Sequence, residues 1–132
     1  MEVEIIRFCR AVLRNIGDDM PIRMSQFEVL NIMCTCPGPH MPAALADMLG
    51  VSKAMISKHI SVLLSNGLIV RVPSPEDGRS VYLVPSKRGL DLFKKLSKQS
   101  AEKMNALKTQ MGPKKFEALV KLIVTANQII DK

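Results

Sequence analysis

A chain of 132 residues with 47% hydrophobic and 23% charged residues has the size and balance of one folded domain of roughly 100–200 residues, which excludes a disordered chain. Nineteen Lys and Arg against 12 Asp and Glu give a formal charge of +7, which favours a polyanionic partner such as nucleic acid. No apolar run reaches the roughly 18 residues that a membrane span requires, so we expect no membrane partner.

Two helices are predicted in the first third of the chain. Apolar residues recur at steps of three and four between positions 3 and 15, and the Gly, Asp and Pro residues at 17–21 predict the turn that ends this helix. Ser25, followed three residues later by Glu28, has the spacing of a capping box. The second helix is therefore predicted to begin at Ser25 and to end near Cys36, just before a Pro-Gly-Pro sequence.

The middle of the chain has the pattern of two helices joined by a tight turn. Pro42 suits the first turn of a short helix over 42–48, and Gly50 suits the left-handed residue that follows a helix. Ser52 is then a good N-cap for a helix over 53–65. Along that helix the apolar residues fall on one stripe, while the opposite face carries small and polar residues: Ala54, Ser57, Lys58, Ser61 and Ser65.

A β-hairpin and two further helices complete the predicted elements. Strands are predicted over 68–72 and 80–84, joined by a loop rich in Pro, Asp and Gly. Ser86 is predicted to cap a long helix that extends to Met111, and a Gly-Pro sequence separates it from a last helix. The predicted fold is mainly α with a small β-hairpin, in the order of a winged helix-turn-helix.

This order of elements predicts a protein that reads duplex DNA. A major groove about 12 Å wide admits one α-helix, and the preceding short helix braces it against the DNA backbone. The tip of a hairpin beside that helix can reach the adjacent minor groove, whose negative potential attracts Arg. The candidate DNA-binding residues are therefore those of the outer helix face and of the hairpin: Ser52, Lys53, Ala54, Ser57, Lys58, Ser61, Arg71, Asp77 and Arg79.

For the hairpin we expect Arg79 to enter the minor groove, Asp77 to anchor the tip by pairing with Arg79, and Arg71 to contact phosphate. The alternative is a solvated tip, in which such an ion pair is worth less than about 1 kcal/mol. Net charge does not decide between a DNA-binding tip and a solvated tip, because residues 40–90 carry +3 whereas residues 91–132 carry +5.

The helix over 53–65 does not reveal the operator sequence, because Ser and Lys pair less selectively with bases than Arg or Asn do.

The same residues carry a resemblance to a known family. The sequence LADMLGVSKAMISKHI over 45–60, the sequence PEDGRS over 75–80 and the Ser-x-x-Gly of 86–89 resemble the winged helix-turn-helix of the MarR family of bacterial transcription regulators. The resemblance implies a homodimer in which the terminal helices pair and each subunit places one helix in half of a near-palindromic operator. It also implies a repressor that a small phenolic ligand or an oxidant releases from DNA.

The resemblance further implies how the chain is divided. We expect one domain over 1–132, in which residues 25–86 form the DNA-binding lobe and residues 1–17 and 87–132 form the dimerisation helices. We hypothesise that an effector pocket lies between the first, second and long fifth helices. The nine Met residues suit an adaptable pocket of this kind, and equally they suit ordinary core filling.

The three cysteines leave two interpretations open. Cys9 lies beside Arg7 and Arg10 in the first predicted helix, which suits an oxidant-sensing thiol, and some relatives sense peroxides through a first-helix cysteine. The alternative is that the cysteines are small buried hydrophobic residues. Cys34 and Cys36 diverge by roughly 160° on a helix and do not pair easily. The odd number of cysteines and the lack of a signal-peptide pattern predict a cytoplasmic protein.

Neither a metal site nor an active site is predicted. The candidate ligands Cys34, Cys36, His40 and His59 lack the spacing of zinc sites. The sequence has no nucleophile elbow, phosphate loop or cofactor fingerprint, so we expect no enzyme activity and no cofactor. The alternative to a DNA-binding regulator is a winged-helix protein that contacts other proteins and does not bind DNA.

Overall fold

The structure, a computed structural model, describes residues 1–13, 22–74 and 76–131. These residues form six helices and one antiparallel hairpin, which confirms the predicted mainly helical fold. The predicted turn at 17–21 lies outside the described residues. In chain order the elements are α1 (Glu2–Leu13), α2 (Met24–Thr35), α3 (Pro42–Leu49), α4 (Lys53–Ser65), β1 (Ile69–Pro73), β2 (Val81–Pro85), α5 (Lys87–Met111) and α6 (Pro113–Ile130).

The chain divides into two compact units, residues 1–96 and residues 97–132. The first unit contains α1 to α4, the hairpin and the first turns of α5, and the second contains the rest of α5 and α6. Among the helices described, none combines the length and the apolar character that crossing a membrane requires.

The core of the first unit is built around α2. This helix buries Val29, Leu30 and Met33, and it packs against α3, α4 and β2. Burial of one aliphatic side chain contributes roughly 1.5–3 kcal/mol relative to exposure, so these contacts are the main force that holds the elements together. The other elements add Leu45, Ala46, Ile56, Ile60, Leu63, Leu68, Ile69 and Leu83 to the same core.

The start of α2 differs from the prediction. The helix begins at Met24, and its N-cap is Arg23, whose backbone N–H donates to Oε1 of Gln26 at 2.8 Å. The predicted cap at Ser25 was therefore wrong, because Ser25 lies inside the first turn and Gln26 has the position that the prediction gave to Glu28. Gln26 therefore supplies half of a capping box, but Arg23 has no side-chain acceptor to supply the other half, so the sequence carries no N-cap signal at the residue where the helix begins.

The turn between α3 and α4 has the predicted geometry. Gly50 adopts a left-handed φ of 65°, and its N–H donates to the carbonyl oxygen of Asp47 at 3.3 Å. A side chain there would be strained, so glycine lets the chain reverse within a few residues. The Oγ of Ser52 then accepts the N–H of Met55 at 3.1 Å, which caps α4 as predicted.

The two strands of the hairpin each lie one residue later than predicted. They pair antiparallel, with Ile69 opposite Pro85. Leu68, the predicted first residue of β1, is buried, and its N–H donates to the carbonyl oxygen of Leu63 at 3.0 Å. Leu68 therefore belongs to the turn that closes the C-terminal end of α4 and not to the strand.

A third backbone segment is attached to the hairpin. The N–H of His40 donates to the carbonyl oxygen of Leu83 at 3.0 Å, and the N–H of Leu83 donates to the carbonyl oxygen of His40 at 2.8 Å. The His40 side chain is buried, and its Nε2 lies 3.2 Å from the carbonyl oxygen of Cys36. The connection between α2 and α3 thereby holds β2 against the core.

The start of α5 is joined tightly to the end of α4. The Oγ of Ser86 donates to the carbonyl oxygen of Gly67 at 2.5 Å and accepts the N–H of Gly89 at 3.0 Å, which confirms the predicted cap. The N–H of Ser86 donates to the carbonyl oxygen of Leu68 at 3.0 Å. A Cβ on Gly89 would collide with this same oxygen, so α5 approaches the connection closely only because residue 89 is a glycine.

Each unit also contains a helix with exposed apolar residues. In the first unit, α1 leaves Val3 and Ile5 exposed. In the second unit, α6 leaves Ile129 and Ile130 68% and 78% exposed. Large apolar side chains grouped on one element in this way mark an interaction surface more often than a solvated face.

Candidate nucleic-acid interface

The helix α4 has a buried face and a polar outer face. Ile56, Ile60 and Leu63 are buried and fix the orientation of the helix, which packs against α2 and α3. Because consecutive residues turn by about 100° around a helix, the side chains opposite this stripe point to solvent. The exposed residues on that side include Lys53, Ala54, Ser57, Lys58 and Ser61, all of which the sequence had proposed as DNA contacts.

The outer face of α4 offers hydrogen-bond donors and positive charge. The hydroxyl groups of Ser57 and Ser61 have no hydrogen-bond partner among the residues described, and each can donate and accept. Lys53 and Lys58 add two cations, and α4 contains no acidic residue that would repel phosphate. Ser52 is occupied as an acceptor by the cap of α4, but its O–H remains a donor at the edge of this face.

The tip of the hairpin is held by short-range hydrogen bonds. The N–H of Ser74 donates to the carbonyl oxygen of Ser80 at 2.8 Å, and the N–H of Gly78 donates back to the carbonyl oxygen of Ser74 at 3.1 Å. The buried Oγ of Ser74 also accepts the N–H of Glu76 at 3.2 Å. Gly78 has a φ of 66°, which closes the turn without strain. The tip is thus preorganised before it meets any partner.

Asp77 is the centre of this tip. Its carboxylate accepts the N–H of Arg79 at 2.9 Å, the N–H of Ser80 at 3.0 Å and the hydroxyl of Ser80 at 3.1 Å. Hydrogen bonds from the backbone of Ser80 first, and then of Arg79, hold the pKa of Asp77 below its ordinary value. Asp77 therefore anchors the tip through N–H and O–H groups and not through the expected ion pair, and the exposed Arg79 guanidinium stays available.

The remaining predicted residue, Arg71, lies on β1. It is exposed and pairs in register with Leu83 of β2. Since α4 contacts β1, the structure places Arg71, the hairpin tip and the outer face of α4 in one compact unit.

Sequence reasoning missed three residues that position this surface. His40 carries the third segment of the sheet, but a single paired residue between Pro39 and Pro42 gives no alternation to detect. Ser74 and Ser80 close the hairpin tip. The sequence could have predicted this role, because Ser residues that flank a turn rich in Pro, Asp and Gly typically form hydrogen bonds with the nearby backbone.

The cysteines differ in exposure. Cys9 is exposed on α1, whereas Cys34 and Cys36 are half-buried, and all three thiols are free. Burial raises the pKa of the Cys34 thiol, which makes its reactive thiolate scarcer. In the described part of the chain, no three His, Cys, Asp or Glu side chains are grouped so that they could hold a metal ion.

Comparison with known proteins agrees with this geometry. The sequence model of the MarR family matches residues 22–81, a stretch that begins just before α2 and ends at the start of β2. Residues 22–81 are similar in sequence to the MarR family. The outer face of α4 and the hairpin tip both lie within this matched stretch. Comparison with curated protein sequences gives no significant match.

Solved structures extend the similarity beyond the residues that match the MarR family. RV1404 from Mycobacterium tuberculosis is 24% identical, with a TM-score of 0.78 over 96% of this chain and 87% of that chain. FabT from Streptococcus pneumoniae, solved in complex with DNA, is 16% identical, with a TM-score of 0.79 over 99% and 98%. PcaV from Streptomyces coelicolor, solved with its natural ligand, is 18% identical, with a TM-score of 0.70 over 96% and 89%. At these identities the chain shares the fold of these proteins.

Proposed function

We propose that this chain is a DNA-binding transcription regulator that reads duplex DNA with α4 and the hairpin tip. The observation that carries the proposal is the exposed, acid-free face of α4, whose inner side is fixed by three buried aliphatic residues. The match of residues 22–81 to the MarR family supports this function, as does the similarity in fold to FabT, which was solved in complex with DNA.

In this proposal α4 lies in the major groove. Ser57, Lys58 and Ser61 face base edges, where a hydroxyl can donate or accept and an ammonium group suits the acceptors of guanine. Ala54 suits contact with a thymine methyl group. The start of the helix, with Ser52 and Lys53, lies beside phosphate, where the exposed N–H groups of a helix terminus and a cation attract anions.

The hairpin contributes contacts to the backbone and the minor groove. Arg79 enters the minor groove, while Asp77 holds the tip in the binding conformation through its three hydrogen bonds. A tip that is already ordered loses less conformational freedom on binding, which leaves more of the contact energy as affinity. Arg71, exposed on β1, contacts phosphate.

We infer that the functional form is a homodimer on a near-palindromic operator. A two-fold dimer presents two α4 helices, and half-sites spaced by roughly one helical turn of DNA match that symmetry. The exposed apolar residues of α1 and α6 are the surfaces proposed to pair. Repression released by a small molecule is the proposed form of regulation, with an effector pocket between α1, α2 and α5, and the ligand complex of PcaV supports it.

Selection of bound duplexes from a random pool tests the proposal. We expect enrichment of a sequence with two related half-sites, and binding whose log affinity falls linearly with log salt concentration. Arg79→Ala should weaken binding about tenfold or more, because it removes the minor-groove contact. Lys108→Ala removes an exposed cation from the second unit and serves as the matched control, with an expected change below about twofold.

Two results would contradict the proposal. Absence of duplex binding at low salt would leave the winged-helix module that contacts proteins as the better interpretation. Equal loss of affinity in the Arg79 and Lys108 variants would mean that net charge, and not the hairpin tip, governs the interaction.

A further inference from the structure

One large apolar residue of α4 takes no part in the core. The other large apolar residues of this helix are buried or pack against buried residues: Ile56, Ile60, Val62, Leu63 and Leu64. Among the residues that the structure describes, Met55 is not a member of this core, and it is 46% exposed. Because a single exposed apolar residue is ordinary on a protein surface, the role of Met55 depends on where it lies.

Met55 lies in the first turn of α4, as the third residue of the helix. Its N–H donates to the Oγ of Ser52 at 3.1 Å, so the helix cap fixes the backbone from which its side chain extends. When a helix of this kind lies in the major groove, the residues near its N-terminus are those that contact base edges. Met55 is also a neighbour of Lys58, because residues three apart share one side of a helix.

The chemistry of this side chain limits what it can read. A thioether donates no hydrogen bond and accepts only weakly, so Met55 cannot recognise the polar groups of the bases. The apolar group that base edges present in the major groove is the C5-methyl of thymine. An unbranched, polarisable side chain with three rotatable bonds can adapt to that methyl group.

We propose that Met55 packs on the methyl group of a thymine and is a specificity-determining residue of α4. The proposal rests on the DNA-binding function proposed above, and it adds a contact that is distinct from the one given to Ala54. The side chain of Ala54 ends at its Cβ, whereas that of Met55 extends three bonds further. Met55 therefore contacts a base that lies farther from the helix axis.

The position of Met55 also predicts where this thymine lies in the operator. The Cβ atoms of residues three apart on a helix are about 5–6 Å from each other. Stacked base pairs are spaced by roughly 3.4 Å. The thymine read by Met55 should therefore lie within about two base pairs of the guanine proposed for Lys58.

Replacing thymine with deoxyuridine tests the proposal, because it removes the methyl group and keeps every hydrogen-bonding group of the base. Each thymine of the selected duplex is replaced in turn, and the affinity of the full chain is measured by fluorescence anisotropy. At one position we expect wild-type binding to weaken about threefold. Met55→Ala should bind both duplexes equally at that position, while Met55→Leu, which keeps an apolar side chain, should retain the preference for thymine.

Met48→Ala is the matched control. It removes the same kind of side chain from α3, where Met48 is 55% exposed, and it should leave every thymine-to-deoxyuridine affinity ratio unchanged. The proposal is overturned if no thymine of the operator is sensitive in the wild type, or if Met55→Ala keeps every ratio. Wild-type binding to the unsubstituted duplex reports separately on the proposed function, so the two failures are distinguishable.

Discussion

Asp77 lies exposed at the hairpin tip, yet its carboxylate accepts three hydrogen bonds from the two residues Arg79 and Ser80. Its position shows how a short sequence can order a loop without burial, since a carboxylate two residues before an N–H closes the turn on itself. The sequence identified both Asp77 and Arg79, but it suggested an ion pair between their side chains. The carboxylate is instead used by the backbone, and this leaves the guanidinium free for a partner.

The order of the tip should depend on pH. The folded-state pKa of Asp77 is lowered from 3.8, so its ionised form stabilises the tip above that value and this stabilisation is lost as the pH falls through the lowered pKa. NMR titration of the Arg79 and Ser80 amides should show a common transition centred below pH 3.8. Asp77→Asn should abolish that transition, while a midpoint at or above the ordinary value would contradict the hydrogen bonding described.

At the scale of elements, the junction between α4 and α5 depends on one residue without a side chain. Gly89 lies in the first turn of a 25-residue helix, where alanine would be favoured by about 1 kcal/mol on helix propensity alone. Its Cα faces the carbonyl oxygen of Leu68, which is backbone and cannot rotate away. Packing therefore opposes helix propensity at this position. For Gly89→Ala, propensity alone predicts a more stable protein, whereas the close contact predicts a less stable one.

Gly89→Ala should lower the free energy of unfolding by about 2–4 kcal/mol, because the new methyl group forces α5 away from the connection. Urea denaturation followed by circular dichroism measures the change. Ser97→Ala, at an exposed position of the same helix, is the control and should change stability by less than about 0.5 kcal/mol. A stabilised Gly89→Ala variant would show that helix propensity dominates and that the close approach is not maintained.

The helix boundaries show which features of the elements local sequence patterns can predict. The bounds of α4 and the caps Ser52 and Ser86 were predicted correctly, because a cap acts over three residues and leaves a readable spacing. The start of α2 was not, because its N-cap, Arg23, has no side-chain acceptor and leaves no cap signal in the sequence, while Ser25 and Glu28 have the spacing of a cap that is not formed. Local chemistry restricts an element boundary to a few positions, and packing of the rest of the helix selects among them.

At the scale of the whole molecule, α6 carries apolar residues that this chain does not bury. Leu122 and Ile129 lie seven positions apart on one side of the helix and are both more than half exposed. Exposure of this kind is unfavourable in water, at roughly 25 cal/mol per Å² of apolar surface, unless another surface covers it. The proposed homodimer supplies that surface.

A double variant, Leu122→Asp with Ile129→Asp, should dissociate the dimer by placing unpaired charges in an apolar interface. Sedimentation equilibrium at micromolar concentration measures the mass directly. Asn127→Asp adds one negative charge to the opposite side of α6 and should leave the dimer intact. A monomeric wild-type chain would contradict the dimer, and so would a double variant that sediments as wild type.

By itself the sequence determined the order of elements, the inner and outer faces of α4 and the identity of the residues at the hairpin tip. These follow from periodicity, caps and turn residues, whose physical effects act within a few positions along the chain. Only the tertiary structure decided that His40 pairs with Leu83 and that Gly89 lies against Leu68. Such contacts join residues 43 and 21 positions apart, where no local preference operates and only the packing of the core brings the groups together.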